Sequence, residues 1–265
     1  MNRPFMQIAQ TVVAVGSVLV AMIAVWYAVV VLFDLPKILL PTPVDVVQAG
    51  WEERDAILRG MWVTGLTAVV GLFTAFLVGG GLSVLFSQSA LLRRALFPYV
   101  VFLQTVPIVA IAPLLVIWSG YTFRSAVIAT VIICLFPIVN NCTTGLLAVR
   151  TDHDELFSLY GAGRLRRMLR LQIPGAVSQI ILGLRISSGL AVIGAIIAEF
   201  FVSNGSVYEG LGALMTGWQG RSRTDALIAA LFASALLGLV LFGAVQLLAA
   251  TVLRRWAYTG IYKSS

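Results

Sequence analysis

The sequence predicts an all-α, polytopic membrane protein: a helical bundle of six transmembrane helices. Three observations carry this. Of the 265 residues, 60% are hydrophobic and only 11% are charged, whereas a soluble domain carries about a quarter charged residues. The mean hydropathy is +0.98, and the apolar residues gather in runs of spanning length, about 20 residues each. The runs do not alternate in polarity and are about twice as long as a transmembrane strand. Backbone groups in lipid must then be satisfied within each run, which means helix.

In chain order the spans are expected at Ile8–Phe33, Met61–Phe86, Ala95–Ser119, Ser125–Val149, Val177–Val202 and Ala226–Leu253. The first runs on into Phe33-Asp34-Leu35-Pro36 with no small-residue cleavage site, so it reads as a retained span and not a signal peptide. The whole chain, 1–265, reads as a single membrane domain without internal repeat or low-complexity tail. Two longer segments separate the spans. One, about 34–60, opens with Leu35-Pro36 and Leu40-Pro41-Thr42-Pro43 and continues as an amphipathic stretch, Val44 to Leu58. The other, about 150–175, is dense in arginine.

Charge sets the expected orientation. With the N-terminus inside, the inner segments hold eleven basic residues (Arg3, Arg93, Arg94, Arg150, Arg164, Arg166, Arg167, Arg170, Arg254, Arg255 and Lys263) against three acids. The outer segments hold six basic residues against seven acids. That bias favours both termini in the cytoplasm. It also explains the net charge of +7 without nucleic acid, since the basic residues flank spans. The expected location is a membrane, crossed several times.

Enzyme chemistry is missing from the chain. A phosphate-binding loop needs Gly-Lys-Ser/Thr, and the two lysines, Lys37 and Lys263, follow Pro36 and Tyr262. No serine is flanked by glycines at two residues to either side, as a hydrolase elbow requires. His153 is the single histidine, so no metal set is expected. Cys134 and Cys142 lie eight residues apart on one span and read as small buried side chains.

The arginine-rich segment carries the most specific pattern. From Thr151 it reads Thr-Asp-His-Asp-Glu-Leu-Phe-Ser-Leu-Tyr-Gly-Ala-Gly-Arg-Leu-Arg-Arg-Met-Leu-Arg-Leu-Gln-Ile-Pro-Gly. Thr151 and Asp154 suit a helix N-terminus, where acids complement the macrodipole. Leu156, Leu159 and Tyr160 recur at helical spacing, and Gly161 and Gly163 permit a sharp turn. Arg164 to Leu171 form a second short basic helix, and Pro174 is expected to separate it from the next span. On periodicity alone the segment is either a docking element or a basic connector lying on lipid headgroups.

The spacing Glu155, then Gly161, then Leu171-Gln172-Ile173-Pro174 resembles the "EAA" loop of permease subunits of binding-protein-dependent ABC importers. Leu156 and Phe157 depart from the alanines of that name. Pro107-Ile-Val-Ala-Ile-Ala-Pro113-Leu-Leu-Val-Ile-Trp118 and Phe136-Pro137-Ile-Val-Asn140-Asn141-Cys-Thr-Thr-Gly145 resemble the sulfonate/taurine/nitrate branch, which includes thiamine-precursor and riboflavin permeases. The Leu-Pro-Thr-Pro opening, Ala198-Glu199 and Gly210-Leu211-Gly212 fit the same branch, so the likeness runs from about Leu35 to Trp256.

The resemblance implies a type I importer permease in the bacterial cytoplasmic (inner) membrane, moving a small solute (sulfonate, nitrate, pyrimidine or riboflavin-like) by alternating access. It implies a second permease subunit, the same or homologous, a cytoplasmic ATPase dimer that holds ATP and magnesium, and an extracytoplasmic substrate-binding protein. No cofactor is expected in this chain. Coupling to the ATPase would fall on Asp154, Glu155, Leu156, Leu159, Tyr160, Gly161 and Pro174, with Glu155 making a charge contact.

Polar groups inside spans are functional candidates by default. Gln104, Asn140, Asn141 and Glu199, with Trp118 as an aromatic wall, are the candidates for the translocation path; Arg185 also lies within a span. Each has an alternative. The asparagines could hydrogen-bond between helices, Arg185 could snorkel to the surface, and Glu199 could be a wet interfacial carboxylate. Two other function classes compete with the importer reading. An ion-coupled secondary transporter would show pseudo-repeats and paired broken helices, which the sequence does not display. A non-transporting scaffold would bind a partner through the same loop without solute flux.

Overall fold

The computed structural model describes residues 3–120, 122–149, 151–202 and 209–257. Arg150, where the arginine-rich segment is expected to open, and Lys263 lie outside them. The helices are α1 (Arg3–Leu32), α2 (Pro43–Glu52), α3 (Arg54–Gln88), α4 (Ala90–Thr105), α5 (Ile108–Ser119), α6 (Phe123–Leu147), α7 (Thr151–Leu159), α8 (Arg164–Arg167), α9 (Ile173–Val202), α10 (Leu211–Gly220) and α11 (Thr224–Ala257). One π-helical turn, Met168–Gln172, joins α8 to α9. The described residues form no strand. Among the described residues, five helices are long and apolar enough to cross a membrane, and α4 with α5 makes the sixth span when the bent pair counts as one.

The centre of the bundle is α6, packed between α3 and α9. Buried positions recur at helical spacing on all three: Ala68, Leu72 and Ala75; Cys134, Ile138 and Cys142; Ala191, Val192 and Ala195. Small residues let the backbones approach. A Cβ on Gly71 would lie 2.4 Å from Thr130 Cγ2, and one on Gly183 would lie 3.1 Å from Asn141 Cβ. Both cysteines are buried and unbridged. In contrast, α1 and α11 leave their apolar surfaces open; they meet through Trp26 and Phe232, ring centroids 6.3 Å apart.

Three expectations are corrected. The run Ala95–Ser119 is not one straight helix, because α4 and α5 meet at 99°. Val106 and Pro107 are extended, with ψ of 123° and 118°. Proline lacks the N–H that would continue the ladder, and it pushes the preceding residue out of helical geometry. Hydropathy does not register that change of direction.

Pro174 does not separate the basic segment from the next span. The apolar helix runs unbroken over Arg164–Phe201. The π-helical turn just before the proline widens the ladder, with Ile173 N–H bonding Met168 O five residues back. A wider turn makes room for a ring that would otherwise strike the carbonyl four residues earlier.

The amphipathic stretch Val44–Leu58 is divided at Glu53, where α2 ends, and its remainder opens α3. The start of α2 is a capping box: Asp45 N–H donates to Thr42 Oγ1 at 3.2 Å, and Thr42 N–H donates to Asp45 Oδ2 at 3.0 Å. Lys37 Nζ reaches Asp45 Oδ1 at 2.6 Å. Arg223 then ties this end of the bundle together, 3.8 Å from Glu52, 3.5 Å from Glu53 and 3.0 Å from Asp225.

Candidate functional site

The segment joining α6 to α9 builds a bracket at the end of the bundle opposite α2. Helix α7 stops in a Schellman motif: Ala162 N–H bonds Phe157 O at 2.9 Å, and Gly161 N–H bonds Ser158 O at 3.0 Å. Gly161 has φ of +65°, which a residue with a Cβ adopts only at a cost. The returning limb is α8. Its Arg167 forms an ion pair with Asp154 of α7, and Arg167 Nη1 donates to Ser158 Oγ at 3.4 Å. The bracket is tied to the bundle by Gln88, at the end of α3, whose Nε2 donates to Gln172 Oε1 of the π-helical turn at 2.8 Å.

What the tip of the bracket presents is largely apolar. Leu159 is 85% exposed and Tyr160 81% exposed, and Leu156 is exposed on the turn before them. Glu155 lies beside them, exposed to solvent. Pro174 is half-buried at the start of α9. Of the seven predicted coupling residues, five (Glu155, Leu156, Leu159, Tyr160 and Gly161) share one surface element, Asp154 shapes it through Arg167, and Pro174 lies apart from it on α9. The Arg167 contact has no signal in the sequence, because its partner sits thirteen residues away across the turn.

The five candidate path residues are spread over four helices, α4, α5, α6 and α9. Gln104 is exposed near the α4–α5 break, and Trp118 is exposed on α5. Asn140 and Asn141 turn to different sides of α6. Asn141 donates Nδ2–H to Pro137 O at 2.8 Å where α9 approaches, while Asn140 lines a cavity against α4. Arg185 is half-buried on α9.

Glu199 is not a wet interfacial carboxylate but is fully buried. Its Oε2 accepts from Thr64 Oγ1 at 2.8 Å and from Gly212 N–H at 2.9 Å. Thr64 Oγ1 in turn accepts from Leu211 N–H at 2.8 Å. Two of the orphan N–H groups at the start of α10 are thereby satisfied by α3 and α9. The sequence signal is the pair Gly210 and Gly212: a Cβ on Gly210 would strike the Glu199 carboxyl at 2.2 Å, and one on Gly212 would strike Ile196 O at 2.4 Å.

The sequence model of the family described as the binding-protein-dependent transport system inner membrane component matches residues 67–254. The chain is 32% identical over 225 residues to a probable ABC transporter permease protein of Haemophilus influenzae, covering 85% of this chain and 90% of that one. It is 33% identical to the formylaminopyrimidine transport permease protein ThiX of Halalkalibacterium halodurans, covering 78% and 82%. It is 30% identical to the riboflavin transport system permease protein RibX of Chloroflexus aurantiacus, covering 90% and 88%. Among solved structures, a chain of the inward-facing MetNI methionine ABC transporter superposes with a TM-score of 0.63. That alignment covers 77% of this chain and 98% of that one at 17% identity, so it speaks to the fold. By sequence and by fold, the chain belongs to the inner-membrane components of binding-protein-dependent transport systems, the permease subunits of ABC importers.

Proposed function

We propose that this permease forms, with a second permease subunit, the path of a small solute across the bacterial cytoplasmic membrane, and that a separate ATPase dimer drives it by alternating access. In this reading the α7 end faces the cytoplasm, in keeping with the excess of arginine there. ATP and its magnesium stay with the ATPase, and a substrate-binding protein docks at the α2 end. The observation that carries the reading is the exposed pair Leu159 and Tyr160 at the tip of a bracket braced by Asp154, Arg167 and Gly161. An exposed apolar tip on a rigid mount suits a groove in another protein. Closure of the ATPase dimer would push this bracket, and the unbroken helix from Arg164 to Phe201 would carry the push into the bundle.

The solutes named for ThiX and RibX, a formylaminopyrimidine and riboflavin, make a nitrogen heterocycle the first substrate class to test. The experiment is to purify the tagged chain from cells expressing it with its neighbouring genes, with and without Leu159→Asp and Glu155→Arg. A stoichiometric ATPase that is lost or uncoupled in the variants supports the proposal. A chain that purifies alone and transports on an ion gradient refutes it.

A further inference from the structure

A cavity of about 390 Å³ lies between α4 and α6, at the end of the bundle that carries α7. Arg93, Arg94 and Phe97 face it from α4, and Asn140, Thr143 and Thr144 from α6. Its polar lining is rich in donors. Arginine has five N–H groups and accepts nothing, while amide and hydroxyl groups can donate as well. No described carboxylate pairs with either arginine. Arg93 spends one Nη1 hydrogen on Phe86 O at 3.3 Å, which fixes the guanidinium at the cavity and leaves its other donors open.

Thr143 is the independent observation. It is buried, and its Oγ1 has no hydrogen-bond partner. A threonine inside a helix ordinarily bonds the carbonyl four residues back, as Thr130 does to Ala126 O at 2.8 Å. For Thr143 that carbonyl belongs to Val139, which already accepts from Ser83 Oγ at 3.2 Å. A buried hydroxyl without a partner is unfavourable; its residue lines the same cavity as two guanidinium groups that have no carboxylate partner, and a rotation about χ1 turns Oγ1 towards them.

We propose that this cavity binds a phosphate group, with Arg93 and Arg94 contacting its oxygens and Thr143 donating to one of them. Guanidinium groups match an oxyanion in charge and in geometry. At a membrane surface the phosphate has two sources, an anionic lipid headgroup or free phosphate, and one experiment separates them.

The full chain is purified with the subunits it retains, in lipid-depleted detergent. Its melting temperature is followed while dihexanoyl phosphatidylglycerol, dihexanoylglycerol or inorganic phosphate is added. Wild type is compared with Thr143→Val and with the Arg93→Gln/Arg94→Gln double variant. The expected result is a saturable rise with the phosphate-bearing lipid and none with the diglyceride. The half-saturating concentration should increase about tenfold or more in the double variant, the scale of losing a charge-assisted contact. It should increase severalfold in Thr143→Val, which without ligand should melt no lower than wild type, since it loses only an unpartnered hydroxyl. If inorganic phosphate reproduces the rise with the same dependence on these variants, free phosphate is the ligand; if only the lipid does, the headgroup is. Comparison across the variants removes any contribution from phosphate bound elsewhere. Equal shifts in wild type and variants, a rise with the phosphate-free diglyceride, or a Thr143→Val protein that melts lower without ligand and keeps its midpoint would overturn the proposal.

Discussion

Thr64 and Glu199, 135 residues apart in sequence, share a 2.8 Å hydrogen bond in the interior of the bundle. The bond makes one unit of α3, α9 and the start of α10, because Leu211 N–H rests on the same Thr64 oxygen. Thr64→Val should leave that N–H without an acceptor and the carboxylate short of a donor. Each lost partner in a buried site costs about 1–3 kcal/mol, so the variant should melt several degrees below wild type. Glu199→Gln keeps an oxygen acceptor and should fall less, and Glu199→Leu should fall most. Thermal unfolding in detergent, followed by fluorescence, orders the three; a Thr64→Val protein as stable as wild type would show that the bond contributes nothing.

Two glycines of α10 should behave oppositely. A Cβ at Gly212 meets Ile196 O at 2.4 Å and Glu199 Cβ at 2.7 Å, while nothing lies within 4 Å of one at Gly217. Backbone on α9 cannot yield as a flexible side chain could, so Gly212→Ala should separate α10 from α9 and lower the yield of folded protein. Gly217→Ala should be neutral or stabilise by up to about 1 kcal/mol, the difference in helix propensity. Size-exclusion profiles of the two alanine variants, made in parallel, check this.

The spans and the central core were legible because burial in a helix repeats every three to four residues, and Ala68, Leu72 and Ala75 carry that repeat openly. Glu155 and Gly161 could be read from spacing, and Gly161 does take the left-handed conformation that ends α7. The 99° break was not legible as a direction. Pro107 marks where the chain can turn, but neighbours in space decide how far. The role of Glu199 was hidden for a different reason: its partners come from Thr64 and from a short helix, α10, that hydropathy does not single out. Thr143 was hidden too, since only the Ser83 contact to Val139 O shows that its usual acceptor is taken.

Acid should loosen the α2 end first. The Asp45 carboxyl is held at about 2, from an ordinary 3.8, chiefly by its hydrogen bond from Lys37 and then by Thr42. A depressed folded value means the contribution to stability is fully present above about pH 4 and is lost as pH falls towards 2. In that window, pepsin should cut the 34–53 segment of wild type progressively faster. Asp45→Asn should be cut faster than wild type at pH 4, and the ratio of the two rates, which cancels the change in pepsin itself, should approach one as the pH falls towards 2. Parallel cleavage profiles in the two proteins would remove the capping box from the explanation.

On the proposed function, the Asp154–Arg167 pair should matter to coupling far more than to stability. Both side chains are partly exposed, and ion pairs in such settings contribute about 0–1 kcal/mol, so Asp154→Arg should scarcely move the melting temperature. It should nevertheless release α8 from α7 and let the Leu159–Tyr160 tip wander, lowering solute-stimulated ATP hydrolysis severalfold in the assembled transporter. Restoring the pair in reverse, with Asp154→Arg and Arg167→Asp together, should recover part of the activity. Recovery should be incomplete, because the reversed pair puts a positive charge in the first turn of α7, where the helix dipole disfavours it. Should the single variant couple as well as wild type at unchanged stability, the Gly161 turn alone would be what aims the bracket.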